Sequence, residues 1–361
     1  MMSNIKVLIV DDSIVFREAL ARELRKDPYI VVVGTASDPF DARDKIIALK
    51  PDVMTLDVEM PKMNGIEFLR RLLPQYPLPV IVSSSLAAAV FDAIAAGAVD
   101  FVAKPPAGPG MMKAYAADMI AKVKIAADVD VASKFRPASQ TRPAARPGPP
   151  AEAGRALSRV ARPPDKDQVL AIGASTGGTE AIFNILTKLP ADIPGTVMVQ
   201  HMPGGFTKLY AERLNKACAF EVREAADNDL VRPGLALLAP GGDFQMKLVK
   251  GSNGYSVRLI DTEKVSGHKP SVDFLFDSTA EAAGNKAMGV ILTGMGADGA
   301  KGLLRMREKG AYTIGQDQAS CVVYGMPMVA YNTGAVVKQL PLDQIAQEIC
   351  GRLSLNYTGT R

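Results

Sequence analysis

Residues 134–164 read KFRPASQTRPAARPGPPAEAGRALSRVARPP, and no other stretch limits the possible folds so sharply. Seven prolines and seven Lys/Arg stand there against a single acid, with little periodic hydrophobicity. Too few apolar groups are available to offset ordering entropy, and proline-rich chain stays semi-extended. The segment therefore reads as a linker, either a basic docking segment or a tether kept solvated by its charge. A chain of 361 residues also exceeds the roughly 250–300 at which single cores stop growing. Two domains are expected, at residues 1–125 and 166–361, with the linker at 126–165.

The same segment explains the charge. The whole chain carries a formal +4, from 42 basic and 38 acidic residues. Residues 134–164 account for +6 of it, so 35 basic and 37 acidic residues remain elsewhere, a net of −2. A near-neutral body with no basic face or helix-turn-helix in its second half is not expected to bind nucleic acid. Composition is globular, 48% hydrophobic and 22% charged. No apolar run approaches the roughly 18 residues a membrane span needs, so no direct membrane insertion is expected. The start, MMSNIKVLIVDDS, lacks a signal-peptide layout, and the expected location is cytoplasmic. Cys218, Cys321 and Cys350 are widely spaced, form no CxxC pair and suit a reducing compartment.

On each side of the linker, apolar β-branched runs alternate with stretches of helical spacing. KVLIVDD, YIVVVGTA, PDVMTLD, PVIVSSS and VDFVAKP precede it; QVLAIGAS, GTVMVQHMP, LALLAP, AMGVILTGMG and AYTIGQ follow. Continuous apolar strands between helices predict parallel sheets covered on both faces, hence α/β with two doubly wound parallel-sheet domains. A more polar pair, FQMKLVKG and YSVRLI around SNG, predicts a β-hairpin inserted in the second domain.

In open α/β sheets ligands sit outside the carboxyl ends of the strands. In the first domain that rule gathers Asp11 and Asp12, Asp57, Ser84 and Lys104, at the ends of the first, third, fourth and fifth runs. Three converging carboxylates need a cation, and hard oxygen donors suit Mg²⁺. A phosphoryl group on one carboxylate would be neutralised by the metal and by Lys104, with Ser84 as hydroxyl donor. Any one of these residues alone could be a helix cap or a structural strand end.

VDDS, LDVEMPKMNG and FVAKP together resemble the receiver domain of bacterial two-component response regulators, over roughly residues 3–125. The resemblance implies a flavodoxin-like fold and phosphorylation of Asp57 by a sensor histidine kinase. It further implies Asp12 and Asp57 as direct Mg²⁺ ligands, Asp11 as an outer-sphere partner and the Glu59 carbonyl as a backbone ligand. Ser84 and Lys104 become the groups that sense the phosphoryl.

In the second domain, Gly173-Ala174-Ser175-Thr176-Gly177-Gly178 joins a strand to a helix. A serine between glycines at such a turn is what a nucleophile elbow requires. The turn could instead bind phosphate, although it lacks the lysine of a P-loop and does not fit GxGxxG. The chain has only two histidines. His201 ends the next strand run on the same sheet edge as Ser175, which makes it the candidate base; His268, in GHKPSVDF, reads as part of a capped loop and is expected to be dispensable. In ILTGMGADGA, Asp298 follows a glycine-rich turn and either orients His201, caps a helix, or does both. Backbone amides around Gly294, Met295 and Gly296 can approach a developing oxyanion. The order Ser…His…Asp differs from the Ser…Asp…His of α/β-hydrolases.

GASTGG, QHMPGGFTKLYAERLN, LAPGG, KPSVDFLF and ILTGMGADGAKGL together closely resemble the catalytic domain of the chemotaxis protein-glutamate methylesterases. With the receiver in front, the resemblance covers all but the linker. It implies a Rossmann-like domain that hydrolyses glutamate γ-methyl esters on methyl-accepting chemoreceptors and deamidates receptor glutamines. It carries Ser175 over as nucleophile, His201 as base and Asp298 as orienter, with Met295, Gly296 and Thr176 around the oxyanion. No cofactor is expected in this domain; the Mg²⁺ belongs to the receiver. One departure bears on substrate-facing detail: where the family has a histidine after the PGG turn, this chain has Gln245 in GGDFQ. The alternative reading is an esterase or partner-binding regulator of a non-chemotaxis pathway.

Overall fold

The computed structural model describes residues 4–61, 63–105, 111–132 and 167–355, so the segment 134–164 lies outside the described residues. The first half alternates without exception: β1 (Ile5–Val10), α1 (Ile14–Leu24), β2 (Ile30–Ala36), α2 (Pro39–Leu49), β3 (Val53–Asp57), α3 (Gly65–Leu72), β4 (Val80–Ser84), α4 (Ala87–Ala95), β5 (Asp100–Ala103) and α5 (Met111–Ala126). Its strands pair in parallel in the order β2-β1-β3-β4-β5. The reversal of strand order falls between β1 and β3, which places the ends of those two strands at the switch point where such sheets bind ligands.

The second half continues with β6 (Val169–Ala174), α6 (Gly178–Leu186), β7 (Gly195–Gln200), α7 (Phe206–Ala217), β8 (Glu221–Glu224), β9 (Leu230–Val231) and β10 (Leu235–Leu238). Then come β11 (Gln245–Gly251), β12 (Gly254–Ile260), α8 (Val272–Ala283), β13 (Ala287–Ile291), α9 (Ala300–Glu308), β14 (Tyr312–Gln316), α10 (Met326–Asn332), β15 (Lys338–Leu340) and α11 (Leu342–Leu353). Seven parallel strands run in the order β15-β14-β13-β6-β7-β10-β8, switching direction between β13, β6 and β7. The polar pair is the hairpin expected, β11 with β12 antiparallel, and β9 adds a third strand to it.

The central strands are fully buried, as continuous apolar runs demand: every residue of β3, β4, β6, β7, β10 and β13 is buried. Helices cover both faces of each sheet. The short edge strands β8, β9 and β15 escape the sequence reading because two to four residues are too few to make an apolar run. Among the described residues no helix is long and apolar enough to cross a membrane.

Candidate active site

Ser175 leaves β6 at its carboxyl end, in a turn built by its neighbours. Its amide donates to the Thr293 carbonyl at 3.0 Å, and its carbonyl accepts from the Gly178 amide at 2.7 Å and from Gln200 Nε2 at 2.9 Å. Gly177 has φ +78° and starts α6; an L side chain there would be strained and would also run into Val322. Gly173 is demanded by packing instead. A Cβ on it would lie 2.1 Å from Val272 Cγ1, so only glycine lets the first turn of α8 press against β6.

His201 follows β7 directly and is tied to the elbow by its own amide, which donates to the Ala174 carbonyl at 3.1 Å. Its Nε2 lies 2.8 Å from Asp298 Oδ2. Nδ1 is buried and has no hydrogen-bond partner. With Nε2–H donating to the carboxylate, Nδ1 carries the lone pair and is the atom free to take a proton.

Asp298 does more than hold His201. Its carboxylate is 2% exposed and also accepts from Ser271 Oγ at 2.7 Å, the Val272 amide at 2.8 Å and the Asp273 amide at 2.9 Å. Burial pushes its carboxyl up, but the His201 bond and charge with the Asp273 and Ser271 donors outweigh that, and the net shift is downward. The helix it serves is α8, whose N-terminal amides it receives, while Gly299 caps α9. Asp298 thus touches His201 and receives the first amides of α8, whereas the helix it precedes, α9, is capped by Gly299.

Around the oxyanion region the Gly294 amide is already committed to the Val323 carbonyl at 3.0 Å, whereas Met295 is half exposed and Gly296 has φ +82° in open space. The amides of Met295 and Gly296 are therefore the better placed of the three. Thr176 Oγ1 donates to Asp100 Oδ2 at 2.5 Å, across to the first half of the chain. A cavity of about 520 Å³ contains this site. Its walls include Ser175, His201, His268 and Met295 on one side and Asp100, Asp118 and Lys122 on the other. Stacked pairs Phe101–Phe206, with centroids at 5.1 Å, and Phe91–Tyr210, at 5.3 Å, close the contact between the halves.

Two residues sit differently from the sequence reading. His268 packs against the site: its ring stacks on His201 with centroids 3.8 Å apart and planes 10° apart. Gln245 does not face the substrate cavity at all. It is fully buried, and its Nε2 donates to the His268 carbonyl at 2.9 Å while its Oε1 accepts from the Ser271 amide at 2.7 Å. The amide side chain is a strut under the loop that carries both His268 and Ser271. Gln245→Ala leaves a buried amide and a carbonyl unpaired, so unfolding free energy should fall by about 1–3 kcal/mol. Thermal melts together with KM check this: a raised KM at unchanged stability would restore the substrate-facing role.

The first sheet gathers its own cluster. Ligand oxygens of Asp11, Asp12 and Asp57 lie within 4.8 Å of one another, with Asp11 and Asp57 buried and Asp12 exposed. Lys104 Nζ reaches Asp57 Oδ2 at 2.7 Å and Asp11 Oδ2 at 2.8 Å. Burial pushes the Asp57 carboxyl up even against the Lys104 bond. Three hard oxygen donors with one ammonium fit a divalent cation of the Mg²⁺ kind. The Glu59 amide donates to Asp57 Oδ1 at 3.0 Å, holding that loop against the site. Ser84 is fully buried, and its Oγ accepts from the Leu86 amide at 3.0 Å, so it is not brought to Asp57 by a hydrogen bond. Ser83 pairs with Asp57 in register, and its hydroxyl is bonded to Tyr115 at 2.7 Å.

Comparison with known proteins matches the two halves of the chain separately. The family model described as CheB methylesterase matches residues 170–349, and that of the response regulator receiver domain matches residues 7–116. A protein-glutamate methylesterase/protein-glutamine glutaminase of Syntrophomonas wolfei is 55% identical over 96% of this chain and 97% of its own length. One from Syntrophotalea carbinolica is 50% identical over 98% and 99%. The crystal structure of the Thermotoga maritima CheB methylesterase catalytic domain, 37% identical, covers 51% of this chain and 98% of its own, with a TM-score of 0.50. With both halves matched in order and nearly full length shared, the chain belongs to the protein-glutamate methylesterase/protein-glutamine glutaminase family and joins a receiver to a methylesterase domain.

Proposed function

We propose that this chain hydrolyses glutamate γ-methyl esters, and deamidates glutamines, on methyl-accepting chemoreceptors, and that phosphorylation of Asp57 turns it on. The observation that carries the reading is the unpartnered Nδ1 of His201, held by Asp298 through Nε2 in the cavity that Ser175 lines. Ser175 Oγ attacks the ester carbonyl carbon while His201 Nδ1 takes its proton. The tetrahedral oxyanion is received by the amides of the Met295–Gly296 turn, beside Thr176. Collapse breaks the C–O bond to the methoxy group, which leaves as methanol with the proton held by His201. A water activated by His201 then cleaves the acyl-enzyme and releases glutamate; for a glutamine substrate the first leaving group is ammonia.

In the receiver, Asp12, Asp57 and the Glu59 carbonyl would hold Mg²⁺, with Asp11 behind them; when bound it neutralises charge on the phosphoryl group. Asp57 accepts the phosphoryl from a sensor histidine kinase, and Lys104 and Ser84 respond to it. Control follows from the shared cavity. Asp100, Asp118 and Lys122 line the same cavity as Ser175, so the first half narrows the room for a receptor helix until it moves aside. Phosphorylation would shift contacts near Lys104, which lies one residue beyond β5, the strand that carries both Asp100 and Phe101.

Methanol release from methylated receptor tests this. A fragment of residues 166–361 should work about ten times faster or more than the unphosphorylated full chain, because a cover that is closed nearly all the time reduces the competent fraction in proportion. A phosphodonor should raise the full-length rate and leave the fragment unchanged, and Asp57→Ala should hold the full chain in its slow state. A fragment no faster than the unphosphorylated chain would rule out occlusion.

A further inference from the structure

The stacked pair His201–His268 has no counterpart in a three-residue mechanism. His268 sits in a tightly fastened turn: its amide donates to the Val265 carbonyl at 2.9 Å, and the Val265 amide donates back at 3.1 Å. Gln245 holds its carbonyl, and Ser266 Oγ donates to Asp273 Oδ2 at 2.7 Å. Ser266 and Gly267 both take positive φ, 51° and 83°, to bring the ring round. Among the described residues the ring itself makes no hydrogen bond. This fastening lays the flat face of the ring against His201 at the cavity wall.

We propose that His268 is a positioning residue for the base, fixing the plane of His201 so that Nδ1 meets Ser175 and offering a π face to the imidazolium that forms when His201 takes the proton. The inference rests on the Ser175–His201 reading above. Positive charge appears on His201 only during the acyl steps, so a stacked aromatic face acts on the transition state more than on the bound substrate. Burial and then the neighbouring His201 hold the His268 ring down to about 4, against the pull of Asp298 and with a further push from Lys264, which keeps it uncharged at neutral pH. An uncharged ring attracts the imidazolium beside it; a charged one would repel it.

The test uses the full chain activated by phosphodonor and reads kcat and KM for methanol release, alongside the rate at which a fluorophosphonate labels Ser175. His268→Leu fills the space without a π face; it should lower kcat and the labelling rate about tenfold, with KM within about twofold. His268→Phe keeps the face and should stay within about threefold of the native rate. Both should melt within a few degrees of the native chain, since Gln245 and Asp273 hold the turn through backbone and Ser266 contacts. A native kcat in His268→Leu, a Phe variant as slow as the Leu variant, or a loss confined to KM would each overturn the proposal. His201→Ala separates the two levels. If it reacts normally, the Ser–His reading fails and takes this inference with it; if it is inactive while His268→Leu is native, only the positioning role is lost.

Discussion

Ser175→Ala is expected to lower methanol release from methylated receptor about a millionfold in kcat, leaving Asp57 phosphorylation by a phosphodonor intact. The size follows from how a proposed triad works: its members act as a unit, so removing the nucleophile alone is about as damaging as removing all three, roughly 10⁶ in kcat. His201→Ala should lose nearly as much, and the double variant little more. Phosphorylation survives because Asp11, Asp12, Asp57 and Lys104 belong to the first sheet and none of them is bonded to Ser175. Two assays on one preparation decide it. Covalent labelling by a serine-directed phosphonate should vanish in Ser175→Ala; labelling that persists, or esterase activity that persists, moves the nucleophile elsewhere.

The sequence could show where such residues sit because parallel α/β folding converts strand order into position. A run of apolar residues that ends in Asp57, Ser175 or His201 places that side chain on the carboxyl edge whatever the helices do. Lys104 was legible for the same reason, lying one residue beyond β5, and Asp298 lies in the turn that leads from β13 to α9. What spacing does not encode is which loop folds back onto that edge. His268 precedes α8 by a handful of residues and looks like cap chemistry, yet the turn at Ser266 and Gly267 swings its ring onto His201. Gln245 opens a hairpin strand, where alternation would leave a polar residue facing either way; only the three-dimensional return of residues 263–271 shows that it is enclosed. The positive φ at Ser266, a residue other than glycine, is invisible in a string of letters. The bond from Thr176 to Asp100 spans 76 residues and two sheets, and no periodicity within either half records it.

Where the new amide turns its NH₂ toward His201, Asp298→Asn should lower kcat about ten-thousandfold, the scale on which a base locked in the wrong tautomer loses its function. The argument turns on a count of donors. Four groups point at the native carboxylate: His201 Nε2, Ser271 Oγ and the amides of Val272 and Asp273. An amide offers one acceptor oxygen and an NH₂. With the NH₂ on the Oδ2 side, it meets the Val272 amide and forces His201 to accept at Nε2, so the ring proton moves to Nδ1 and the base is gone. With the NH₂ on the Oδ1 side, it meets the Asp273 amide, and a buried donor is left unpaired at about 1–3 kcal/mol. Stability should therefore fall as well, and its dependence on pH should change. The native carboxyl is held below its ordinary 3.8, so its contribution is present above that value and is lost as pH falls through the lowered one. Asparagine has no proton to gain there, so the variant should start less stable at neutral pH and lose less on acidification. Urea unfolding at pH 7 and pH 3, with kcat measured at pH 7, reads both effects. An Asn variant with native kcat would mean that His201 does not depend on Asp298 for its tautomer, and the base would have to be sought elsewhere.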